Sequence, residues 1–100
     1  MPKKNNVRDG VYDVLQKILK YALDRKPETI KPSMPINRRG LNLPVGILPY
    51  FWRAFSKVST SEGGADVRRK DLLSLSGSAK VKDLVEVVQK RAAMNGEDES

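Results

Sequence analysis

Leu41–Val58, LNLPVGILPYFWRAFSKV, holds four of the six aromatic residues of the chain and its densest aliphatic run. Before Pro49 the apolar positions Leu41, Leu43, Val45 and Ile47 alternate with Asn42, Pro44 and Gly46. That is the period-2 pattern of an extended segment with one buried side. After Pro49 the period changes. Pro49 suits the first turn of a helix, where its missing N–H costs nothing. Phe51, Phe55 and Val58 then share one arc of a helix, with Arg53 and Lys57 one turn apart on the opposite arc. Each buried Phe contributes roughly 1.5–3 kcal/mol, so the segment is expected to anchor the core.

Upstream, Val7, Val11, Val14, Leu15, Ile18 and Ala22 recur at helical spacing and predict a helix over 7–25, stopped by Pro27. Its polar face mixes signs, with Asp13 and Lys17 placed as a favourable i,i+4 pair. Residues 27–49 carry five of the six prolines, a density that excludes a helix or a central strand. They read as a long crossover that ends in an extended segment at 41–47. The aromatic helix is expected over 50–58, and Ser59–Gly64 reads as an exposed loop. Asp66 offers a cap for a short helix over 67–75. Ser78 offers one for a helix over 79–94, whose apolar face is Val81, Leu84, Val85, Val88 and Ala92. The expected fold is therefore all-α, with about four helices. Residues 7–96 form one domain between a frayed N-terminus (1–6) and an acidic tail (97–100).

The chain has 100 residues, no cysteine and no histidine. It therefore lacks disulfides, thiolate zinc sites, the commonest metal ligand and the usual general base. Neither Ser-x-x-Lys nor G-x-S-x-G is present, and the Gly63-Gly64 and Gly77-Ser78 turns lack phosphate-loop spacing. The expectation is a protein that is not an enzyme and needs no cofactor or metal. A helix-turn-helix across Ser76–Ser78 fails on register. It would place Ser78, Asp83 and Glu86 where that motif packs apolar side chains.

Charge is the most informative remaining feature. The net charge is +7, and residues 1–60 hold twelve Lys and Arg against four Asp and Glu. No acid lies between Glu28 and Glu62. Arg38, Arg39, Arg53, Lys57, Arg68, Arg69 and Lys70 mostly lack an acid partner at local spacing, as befits phosphate contacts that need charge more than base geometry. Tyr50 and Trp52 beside Arg53 can serve as a stacking platform for unpaired bases, although the same residues also read as core. The first expectation is a charge-led nucleic-acid-binding or packaging protein, with RNA or single-stranded DNA preferred because no major-groove element is present. The second is a protein-interaction module or oligomerising subunit that uses the proline-rich segment and the aromatic helix. A membrane anchor is disfavoured by the two prolines and the short helix, and no apolar stretch approaches ~20 residues. An intracellular location follows by default, whether cytoplasmic or nuclear.

Overall fold

A computed structural model of the chain describes residues 6–27, 29–37, 40–44, 46–75 and 78–94, and within them it is helical, with no strand. Helix α1 (Asn6–Lys17) runs on into one π-helical turn (Ile18–Ala22). Then come α2 (Ile47–Tyr50), α3 (Trp52–Ser61), α4 (Arg69–Leu73) and α5 (Val81–Ala93). The all-α reading holds, with the aromatic helix divided in two and the later helices shorter than expected. Helices α1, α3 and α5 pack on one another pairwise, and α2 packs on α4. Val11 and Leu15 of α1, Leu19 of the π-helical turn, Phe55 of α3, and Leu84 and Val88 of α5 are fully buried between them. These are the i, i+3/i+4 positions of each helix, so amphipathic periodicity sets which face turns inward.

Gly10 is where α1 meets α3, because a Cβ there would stand 2.8 Å from Val58 Cγ1. The end of α1 is not made by Pro27, as the sequence suggested. Leu23 N–H bonds back to the Ile18 carbonyl and Arg25 N–H to that of Leu19, while Asp24 takes φ +53°. That is a left-handed C-terminal cap, a conformation that Asp tolerates better than most non-glycine residues.

The proline-rich crossover has a structural task. Carbonyls of Pro32 and Met34 accept from the N–H groups of Lys82 and Val81, at 2.9 and 2.8 Å, and Ile36 N–H donates to Ala79. The first N–H groups of α5 are orphans of the helix, and the crossover satisfies two of them. Asp83 Oδ2 accepts from Lys80 N–H at 2.8 Å, which is the N3 half of a capping box. Helix α5 therefore starts at Val81, not Ala79, and Lys80 takes the position expected for Ser78. Helix α4 repeats the device, since Asp71 Oδ2 accepts from Arg68 N–H at 2.9 Å, and Asp66 is not its cap. Further along the crossover, Leu41 and Leu43 are buried while Asn42 and Pro44 face solvent, as the alternation suggests. The backbone is not the extended segment expected over 41–47, since residues 40–41 form a turn, Asn42 takes φ +56°, and Ile47 is already the first residue of α2.

Ser59–Gly64 is only in part the exposed loop that its composition suggests: Thr60, Ser61 and Gly63 are exposed, but Ser59 is not. Helix α3 continues to Ser61, and Ser59 is 0% exposed. Ser59 Oγ donates to the carbonyls of Ser56 and Ala65, and Ser56 Oγ donates to Val67 at 2.6 Å. These hydroxyls consume backbone acceptors that burial would otherwise strand. They draw Ala65 and Val67 into the core.

Candidate nucleic-acid interface

Gly46, at φ +89°, turns the chain into α2. Pro49 sits in the first turn of α2, where no helical N–H is needed. The helix breaks at Phe51 (φ −102°, ψ 27°) and restarts at Trp52. The break turns Tyr50 outward, leaving it 80% exposed, with its ring edge-on to Phe51 at 5.1 Å between centroids. Trp52 is half-buried, and the Arg53 guanidinium lies 5.5 Å from its ring centroid. Because α2 packs on α4, the first residue of α4, Arg69, reaches the same place. Gly46, Pro49, Tyr50, Trp52, Arg53 and Arg69 together line an open cleft of about 510 Å³.

The candidate cations of the sequence are thus divided. Arg53 and Arg69 converge on the cleft, both exposed. Among the described residues neither has a carboxylate within ion-pair distance. Lys57 is exposed one turn further along α3 and lines a different recess, between α1 and α3, which Arg53 also borders. Lys70 is exposed and lines neither. Arg68 is occupied at the start of α4, where its backbone N–H and its charge both act on Asp71. Arg38 and Arg39 lie outside the described residues. Gly40, next to them, packs on the Pro35 backbone, where a Cβ would collide with the Pro35 carbonyl.

Sequence reasoning missed one ion pair. Arg91 grips Asp71 with Nε to Oδ2 at 2.9 Å and Nη2 to Oδ1 at 3.2 Å, joining α5 to α4. Burial alone pushes the Asp71 carboxyl up. The Arg91 hydrogen bonds, the Arg68 N–H and the charges of both arginines outweigh it and hold the carboxyl below its ordinary range. The pair fixes the start of α4, and with it Arg69. Twenty residues separate the partners, so no local spacing announces them.

The cleft can hold an anion against two guanidinium groups while a flat apolar group lies on Tyr50 or Trp52. No group of three or more metal-ligating side chains occurs among the described residues, and no described helix is long and apolar enough to cross a membrane. Compared with known proteins, the chain matches no family model, no curated protein and no solved structure.

Proposed function

We propose that the protein binds single-stranded nucleic acid without catalysing a reaction, through the cleft between α2, α3 and α4. The observation that carries this reading is the convergence of Arg53 and Arg69 with Tyr50 and Trp52 around one opening. A guanidinium meets a phosphate with paired hydrogen bonds, and an exposed ring takes any base on its face. A nucleotide supplies both groups a few ångströms apart. The volume of about 510 Å³ falls within the range of small-ligand sites, ~300–1,000 Å³. Paired duplex DNA fits less well, because its bases are already stacked and no described helix presents a row of base-reading side chains. The net charge of +7 adds long-range attraction without sequence preference.

The test is fluorescence anisotropy with labelled oligo(U), oligo(dT) and a mixed duplex at two salt concentrations. The single strands should bind more tightly than the duplex, and affinity should fall steeply between ~50 and 200 mM salt. Equal affinity for all three would leave only a diffuse basic surface. No binding at ~50 mM salt would remove the reading altogether.

A further inference from the structure

A second recess lies on the other side of α3. It runs along α1 and α3 from Gly10 and Ser61 at one end to Tyr21 and Tyr50 at the other, with a volume of about 950 Å³. Ile18, Ala22, Phe51 and Ala54 supply apolar lining, and Tyr21, 74% exposed, stands at its edge. The π-helical turn makes up this end of the α1 wall, and single π turns inserted in α-helices are frequent at functional sites. Tyr21 is no part of the core, and its only described ring partner is Lys20 Nζ, 5.1 Å from the centroid.

The charges along the recess choose among occupants. Lys17, Arg53 and Lys57 border it, against one acid, Asp13, which already pairs with Lys17 at 3.1 Å. Arg53 and Lys57 have no ion pair among the described residues. A second copy of this chain would bring the same two cations face to face across a two-fold axis, and like charges so placed are repulsive. A nucleic acid would find cations and edge tyrosines, but a floor of Val14, Ile18, Ala54 and Val58 that offers its phosphates and bases no polar partner. An amphipathic helix that presents apolar side chains between acidic flanks satisfies both the floor and the rim. Helix α3 is ten residues long, which at 1.5 Å per residue gives a wall of about 15 Å, matching about three turns of a bound helix.

We infer that the groove between α1 and α3 is a docking site for an acidic amphipathic helix of a partner protein. This site is separate from the cleft, and the two meet only at Tyr50 and Arg53. Anchoring falls to the exposed tyrosines, a residue type enriched where binding energy concentrates, while Arg53 and Lys57 select the sign of the flanks.

A displayed library of random peptides, about 16 residues each, is panned on the protein, and the strongest selected peptide is then titrated by anisotropy. Enrichment of apolar residues at i, i+3/i+4 and i+7 with Asp or Glu beside them supports the site, provided that binding is roughly tenfold weaker or worse for Ala54→Glu and for Tyr21→Ala. Tyr21→Ala alters an exposed residue, so it stays informative if Ala54→Glu does not fold. Arg69→Ala should leave the peptide affinity unchanged while weakening oligo(U), which separates failure of this site from failure of the cleft. Three results would overturn the inference: enriched peptides without acidic flanks, peptide binding indifferent to Tyr21→Ala, or dimerisation in the ultracentrifuge that Tyr21→Ala abolishes. Preferential binding to phosphatidylglycerol vesicles over the peptide would reassign the groove to a lipid surface.

Discussion

Asp71 answers to two neighbours at once, and its chemistry can be read out by pH. Its carboxylate accepts from the Arg68 N–H and from Arg91, with only 19% and 14% of the Asp71 and Arg91 side chains exposed. Because its folded pKa lies below the unfolded value, its contribution to stability is fully present above the unfolded pKa of about 3.9. It is lost as pH falls through the folded pKa. Asp71→Asn should therefore cost roughly 1–3 kcal/mol at neutral pH and flatten the acid limb of the stability curve. Urea melts from pH 7 down to pH 2.5 check this, and an unchanged acid limb would show that the pair is inert. Phe55 and Phe51 separate at the same scale. Phe55 is fully buried and Phe51 only partly, so Phe55→Ala should destabilise by about 3–5 kcal/mol. Phe51→Ala should cost clearly less, although the sequence placed both rings on one core-facing arc. Thermal melts of the two variants decide it.

Among the elements, those with strong periodicity were legible from the sequence, and those held by distant partners were not. The apolar spacing of α1 and α5 identifies their core faces directly. The start of α5 is misread because two of its N–H groups are capped by the carbonyls of Pro32 and Met34, nearly fifty residues upstream, and the local Asp83–Lys80 bond, with a Lys at the cap, is a weaker signal than Ser78. The end of α3 and the segment after it are misread because Ser59 and Gly64 look like solvent-facing residues. The Ser59 hydroxyl instead bonds to the buried Ala65, and Gly64 lies against the backbone of Arg91 and Ala92 in α5. A Cβ at Gly64 would collide with that backbone, which cannot swing aside as a side chain can. Gly64→Ala should then destabilise by roughly 1–3 kcal/mol, without the φ-related strain that Gly63, at +84°, would add. Comparing chemical melts of Gly64→Ala with wild type tests the strap. A neutral result would mean that the strap can lift off α5 freely.

Taken whole, the molecule is a three-helix core that carries a small α2–α4 flank, and the candidate site lies where the flank meets the start of α3. The sequence supplied the parts of that site, Tyr50, Trp52, Arg53 and Arg69, but not their selection from seven candidate cations. Selection depends on α2 packing against α4, a tertiary contact that leaves no spacing to read. Arg53→Ala and Arg69→Ala should each lower the salt slope for single strands by about 0.7, and Tyr50→Ala should cost about 1–3 kcal/mol of binding. Lys57→Ala should do less than either arginine, since it lines the other recess. The most direct measurement uses Trp52, the only tryptophan in the chain. Titrating oligo(U) into the protein at ~50 mM salt should change the Trp52 emission saturably. The Arg53→Ala, Arg69→Ala double variant, shown to be folded by circular dichroism, should weaken that response, measured against its own free spectrum because Arg53 lies against the Trp52 ring. Binding by anisotropy with an unchanged Trp52 spectrum, or a response indifferent to loss of both arginines, would contradict the account.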